Sequence, residues 1–158
     1  MIARGIRLRV IGEREMLPVD LKALLARVEQ LTADGTQMTL TLAVSYDGRR
    51  DLIRAAQRLV SMAQRGDLLA ADVQEETLLE QLSTNGMPDV DLVIRTSGER
   101  RLSGFLPFET CYAELIFLDK LWPDFTLSDL DEALKEYARR SRRFGRAHAQ
   151  SDLQWSFG

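Results

Sequence analysis

Ile6-Arg7-Leu8-Arg9-Val10-Ile11-Gly12 alternates apolar and basic residues before a glycine, the period-two pattern of a half-buried strand. After Pro18 and Asp20 the period lengthens. Leu21, Leu24, Leu25, Val28 and Leu31 recur at three- and four-residue intervals, which predicts an amphipathic helix ending at Asp34-Gly35. Met38 to Val44 reads as a second strand. Asp51 is read as the cap of a helix whose stripe of Leu52, Ala55, Ala56, Leu59, Val60 and Ala63 runs to Gly66. A shorter helix is expected over Glu76 to Leu82. Val90 to Ile94 and Leu115 to Leu118 are short apolar runs of the kind found in central strands of a parallel sheet. Ser128, three before Asp131, is read as a capping box opening a helix that carries Leu130, Leu134, Tyr137 and Ala138 toward Phe144.

Strands alternating with helices predict an α/β fold, a mostly parallel sheet with helices on both faces joined by right-handed crossovers. Such a sheet is expected to leave Ile6 to Ile11 as a bare edge. A chain of 158 residues is the size of one domain, and 45% hydrophobic with 28% charged residues excludes a disordered or fibrous chain. Cys111 and His148 are the only residues of their types, so any metal must be oxygen-ligated. The sequence has no apolar run of ~20 residues and opens with no signal-peptide pattern, so a cytoplasmic protein is expected. The net charge of -3 hides a basic C-terminal stretch of Arg139, Arg140, Arg142, Arg143 and Arg146. In an acidic chain with few interleaved aromatics, that stretch reads as a solvated helix face or subunit contact and not as a nucleic-acid surface.

The stretch that carries chemistry runs from Asp91 to Phe105, Asp-Leu-Val-Ile-Arg-Thr-Ser-Gly-Glu-Arg-Arg-Leu-Ser-Gly-Phe. A buried strand ends and the chain enters a loop of cations, hydroxyls and glycines, at the end of a parallel strand where α/β sheets place ligands. Guanidinium groups offer paired donors to phosphate oxygens, and backbone N–H groups freed by glycine fill the remaining positions. The same composition also describes a surface loop whose arginines pair with Glu99, and spacing alone does not choose between the two.

This stretch resembles the pattern Asp-Leu-x-Ile-Arg-Thr-x-Gly-Glu-x-Arg-Leu/Ile-Ser-Asn/Asp-Phe of the cis-prenyltransferases, the family of undecaprenyl diphosphate synthase. Tyr112-Ala113-Glu114-Leu115, Leu121-Trp122-Pro123-Asp124-Phe125 and Arg142-Arg143-Phe144-Gly145 are similar to further family motifs in the same order. Weaker likeness runs through Ile6 to Gly12 and Tyr46-Asp47-Gly48-Arg49. The resemblance implies that Arg95, Arg101 and Ser103 hold the diphosphate of isopentenyl diphosphate. It implies that Glu114 helps place Mg²⁺ on that diphosphate, and that Arg143 and Gly145 belong to an Arg-x-Gly element reaching a neighbouring subunit's substrate. Trp122 and Phe125 are expected as core or dimer contacts.

The family's allylic-diphosphate motif, Asp-Gly-Asn-Gly-Arg-Trp-Ala, has no counterpart here, and Ser45, Asp47 and Gly104 depart from the family pattern. The expectation is therefore a single cis-prenyltransferase-like domain over residues 1–158, the C-terminal portion of that fold, lacking the allylic part and with no catalytic residue assigned. The implied reaction condenses isopentenyl diphosphate with an allylic diphosphate such as farnesyl diphosphate to give a cis-polyprenyl diphosphate, with Mg²⁺ as cofactor. The implied assembly is a homodimer, touching membrane only through its lipid product. The alternative is an inactive homologue or partner subunit that keeps an isopentenyl diphosphate site.

Overall fold

A computed structural model describes residues 1–140. They gather into two compact units, one of Met1–Pro88 with Leu102–Pro107 and one of Asp89–Arg101 with the chain from Phe108 onward. Each is built around a two-stranded parallel ribbon.

In the first unit, β1 (Ile6–Gly12) and β2 (Met38–Val44) pair in parallel from Ile6↔Met38 to Gly12↔Val44. The helix α1 (Val19–Leu31) makes the crossover between them. The alternation read from Ile6 onward is realised at Leu8 and Val10, which are buried, and ends at Ile11, which is buried beside Val10. Ile6 to Ile11 is nevertheless not a bare edge. The N–H of Leu8 donates to Thr32 Oγ1 at 2.9 Å and that of Val10 to Glu29 Oε1 at 2.7 Å, so side chains at the end of α1 satisfy the strand's free donors. Arg14 then clamps Glu29 with two bonds of 2.6 Å. Burial pushes the Glu29 carboxyl up, but the bonds from Arg14 and the Val10 N–H outweigh it and its pKa is lowered. Exposed apolar side chains lie instead on β2, at Met38, Leu40 and Leu42.

Helix α2 (Gly48–Arg65) follows β2. Its cap is Asp47, whose side chain accepts from the N–H groups of Arg49 and Arg50, and not Asp51. Asp51 lies in the first turn, buried, and receives the Ser83 hydroxyl at 2.6 Å and the Ser83 N–H at 3.1 Å. The short helix α3 spans Glu75–Leu79, ending earlier than its apolar pattern suggests.

The second unit holds β3 (Leu92–Arg95) and β4 (Glu114–Phe117), paired from Leu92↔Glu114 to Arg95↔Phe117. Helix α4 (Leu127–Arg139) is capped by Thr126 with Asp129, not by Ser128 with Asp131. Asp129 accepts from Lys120 at 2.6 Å and from the Thr126 N–H at 2.7 Å. These bonds, the lysine's first, hold its pKa at about 2. Trp122 and Phe125 stack with centroids 5.5 Å apart and planes 9° from parallel, and Trp122 is 69% exposed, so it is not a core residue of this chain. Ser141, Arg142, Arg143, Phe144, Gly145, Arg146 and His148 lie outside the described residues.

Candidate functional site

Arg95 closes β3, and the chain turns immediately through Ser97 and Gly98, both with positive φ (74° and 71°). Only glycine adopts that conformation without cost, so the Gly98 position suits it and Ser97 is strained. The turn is fixed by rungs to the segment after β4. Ser97 N–H donates to Lys120 O at 2.7 Å, Gly98 N–H to Leu118 O at 2.9 Å, and Leu118 N–H to Arg95 O at 2.8 Å. The backbone donors of Ser97 and Gly98 are thus already paired. Arg95 Nη1 donates to the carbonyl of Arg101, while the Arg101 guanidinium pairs with Glu99. Glu99 therefore partners one arginine, and the backbone carbonyl of that arginine receives the other.

Ser103 belongs to the segment Leu102–Pro107 of the first unit. It has φ of 51° and is followed by Gly104 at 77°, a tight left-handed pair. That segment is seated on the start of α2, where the Gly48 N–H donates to Gly104 O at 3.2 Å. Phe105 meets Tyr46 edge-on, with centroids 6.0 Å apart. The weak likeness at Tyr46-Asp47-Gly48-Arg49 thus has a local structural basis, because these residues seat the loop that carries Ser103. Nearby, a cavity of about 90 Å³ at the C-terminal ends of β1 and β2 is lined by Gly12, Glu13, Tyr46, Asp47, Arg50 and Arg54, among others. Glu13 draws in Arg50 at 3.1 Å and Arg54 at 3.3 Å. Neither this cluster nor the Asp51–Ser83 pair has a signal in the local sequence.

Glu114 opens β4 and is paired opposite Leu92, so it lies at the other end of the ribbon from Arg95. Three residues of strand separate the two ends, roughly 10 Å at the usual rise. The pleat also puts Glu114 on the face of Leu92 and Ile94 and Arg95 on the face of Val93. The partner of Glu114 is Arg140, directly after α4, whose Nη1 meets Glu114 Oε2 at 2.8 Å and the Leu115 carbonyl at 3.0 Å, and whose Nη2 meets Glu136. These bonds, Glu114's first, raise the pKa of the guanidinium further. Among the described residues no three acidic, histidine or cysteine side chains converge as a metal site. Glu114 and Arg95 thus stand at opposite ends of the β3–β4 ribbon. The structure brings together Arg95 and Arg101 and sets Glu114 apart.

A cationic turn at the C-terminal end of a parallel strand defines an α/β protein suited to an anionic ligand. The chain belongs to the undecaprenyl diphosphate synthase (Prenyltransf) family, whose model matches residues 1–145. Isoprenyl transferase 2 of Corynebacterium efficiens is 45% identical over 144 residues, covering 91% of this chain and 59% of that protein. The ditrans,polycis-undecaprenyl-diphosphate synthase ((2E,6E)-farnesyl-diphosphate specific) of Pseudomonas aeruginosa is 42% identical over 150 residues, covering 95% of this chain and 60% of the relative. Among solved structures, lavandulyl diphosphate synthase from Lavandula x intermedia, in complex with dimethylallyl diphosphate, matches with a TM-score of 0.87 at 37% identity, over 89% of this chain and 61% of that one. The chain thus spans about three-fifths of the length of these relatives. Among the described residues no helix is long and apolar enough to cross a membrane.

Proposed function

We propose that the chain carries the isopentenyl-diphosphate-binding part of a cis-prenyltransferase, which condenses that substrate with an allylic diphosphate such as farnesyl diphosphate. Head-to-tail condensation breaks the allylic C–O bond with release of diphosphate, joins the alkene carbon of isopentenyl diphosphate to the allylic carbon, and loses one proton to leave a cis double bond. The observation that carries the reading is the Arg95–Arg101 turn, whose backbone is tied to the segment after β4 before any ligand arrives. Preorganised guanidinium donors bind a diphosphate without first having to order the loop. In this reading Ser103 adds a hydroxyl donor, Arg143 and Gly145 contribute from a second copy in a homodimer, and Mg²⁺ neutralises the diphosphate charge.

The test is incorporation of labelled isopentenyl diphosphate into extractable polyprenyl product with farnesyl diphosphate and Mg²⁺, alongside direct binding of isopentenyl diphosphate. Charge-assisted hydrogen bonds contribute about 1.5–3 kcal/mol each, so Arg95→Ala and Arg101→Ala should each weaken binding by roughly ten- to a hundredfold. Unchanged affinity in both variants would remove the loop from the site. Binding without product would favour the second reading, a partner subunit that keeps the isopentenyl diphosphate site and leaves allylic chemistry to another polypeptide.

A further inference from the structure

Helix α2 carries Arg54, Arg58 and Arg65 along one face, with Gln57 and Ser61 between them. That face lines a cleft of about 370 Å³, completed by Gln81 from the turn after α3, and all of it lies within the first unit. Three bonds hold the turn in place. Arg58 donates to the Gln81 carbonyl, Arg9 Nη2 to the Ser83 carbonyl at 2.7 Å, and Ser83 Oγ to Asp51 Oδ2 at 2.6 Å. The cleft is thus formed before any ligand arrives, and a bound group need not order its walls.

Among the described residues the lining supplies three guanidinium groups, two carboxamides, a hydroxyl and a thioether, and no carboxylate. The charges are met only in part from within the chain. Glu13, its side chain 12% exposed, lies 3.3 Å from Arg54 but is shared with Arg50 at 3.1 Å. Asp67 takes Arg65 at 2.8 Å, and Arg58 donates to a neutral carbonyl. Arg54 and Arg58 stand four residues apart, the spacing at which like charges on a helix repel, so an anion between them relieves a repulsion that folding leaves in place. Guanidinium forks match phosphate or carboxylate oxygens in pairs, and the carboxamides and hydroxyl can fill further acceptors. Arg58 and Arg65 are about 10 Å apart along the helix axis, so their long side chains can reach two groups of one ligand. The cleft has the volume of a small-molecule site, but a lining this polar does not suit a hydrocarbon tail.

We propose that this cleft is an anion site, which takes a small molecule bearing a diphosphate or an equivalent pair of negative groups. It uses none of the residues assigned to isopentenyl diphosphate, so it stands whether or not that reading holds.

The experiment titrates inorganic diphosphate, without metal, into the full chain and into an Arg95→Ala/Arg101→Ala chain, with calorimetry for affinity and amide NMR shifts for location. Saturable binding at about 0.15 M salt should persist in the double variant, with shifts centred on Arg54, Arg58, Ser61 and Gln81. Arg58→Gln removes a charge-assisted donor and should weaken this binding roughly ten- to a hundredfold. Glu13→Gln frees Arg54 from its internal partner and should tighten it about threefold. Arg27→Gln, at an exposed position of α1, should leave it unchanged. Absence of saturable binding, or its complete loss in the Arg95→Ala/Arg101→Ala chain, would overturn the proposal. Equal weakening by Arg27→Gln and Arg58→Gln would also overturn it, by showing attraction to net charge without a site. Binding to phosphatidylglycerol vesicles with no response to diphosphate would overturn it in favour of a membrane surface. Should Arg58→Gln fail to fold without its Gln81 contact, Ser61→Glu places a carboxylate in the cleft from an exposed helix position. It should abolish diphosphate binding, and unchanged affinity would refute the site.

Discussion

Replacing Gly48 with alanine tests how the loop carrying Ser103 is held. A Cβ at this position would lie 2.2 Å from Pro107 Cδ and 2.4 Å from Gly104 O. Ordinary carbon contacts begin near 3.4 Å, so the segment Leu102–Pro107 must retreat by roughly 1 Å. A proline ring and a backbone carbonyl have no flexible end that could swing aside, and Ser103 and Gly104 are already in the left-handed region at 51° and 77°. Overpacking of this kind costs about 1–3 kcal/mol, and weakening the 3.2 Å bond from Gly48 N–H to Gly104 O adds about 1 kcal/mol. The expected loss of unfolding free energy for Gly48→Ala is therefore about 2–4 kcal/mol by urea denaturation.

The same displacement carries Ser103 with it, so isopentenyl diphosphate affinity should fall about five- to tenfold, the worth of one hydrogen bond. Gly66→Ala provides the control. Gly66 ends α2 with φ of 77° but has nothing within 4 Å of its added Cβ, so it should cost only the conformational term of about 1 kcal/mol and leave binding unchanged. A Gly48→Ala chain within 0.5 kcal/mol of the parent, with unaltered affinity, would refute the seating of the Ser103 loop on α2.

Thr32→Val keeps the shape of a side chain that is 4% exposed but removes the acceptor for Leu8 N–H, so unfolding in urea should show a loss of about 1–3 kcal/mol; a change below 0.5 kcal/mol would mean the strand edge finds another partner. Asp129 has a pKa lowered from 3.8 to about 2, so what it contributes to α4 is present above about pH 4 and is lost as pH falls through 2. Helicity followed by circular dichroism from pH 4 to 2 should therefore drop more steeply in the parent than in Asp129→Asn, and parallel curves would refute the assignment.

What the sequence made legible is governed by how local the cause is. The elements β1, α1, β2, α2 and α4 follow from hydrophobic period alone, because a helix or strand repeats each of its faces at a fixed spacing. Their ends were less legible. Two helices are capped one turn or less before the residue that reads as the cap, by Asp47 instead of Asp51 and by Thr126 instead of Ser128. Several Asp, Ser and Thr stand near each helix start, and propensity does not rank them; which one turns its oxygen onto the free N–H groups depends on where the preceding strand delivers the chain. Asp51 reads as a cap because its composition fits, yet its partner, Ser83, lies 32 residues away and no local pattern announces it.

The same distinction divides the candidate site. Arg95 and Arg101 are six residues apart in one turn, so their proximity could be anticipated from the loop itself. Glu114 lies eleven residues after Ser103, within the same string of motifs, and linear order invites placing it at the same ligand. Strand register adds what linear order does not carry: the pairing Leu92↔Glu114 sets it a strand-length from Arg95, and the pleat turns it to the other face. A one-residue change of register would reverse that face, and the register is fixed by rungs such as Glu114 N–H to Asp91 O at 3.0 Å that no local pattern specifies. Its engagement by Arg140, 26 residues onward, follows from where α4 ends. A motif thus conveys which residues matter to a fold more dependably than it conveys which of them share one ligand, because the second depends on pairing between segments and the first does not.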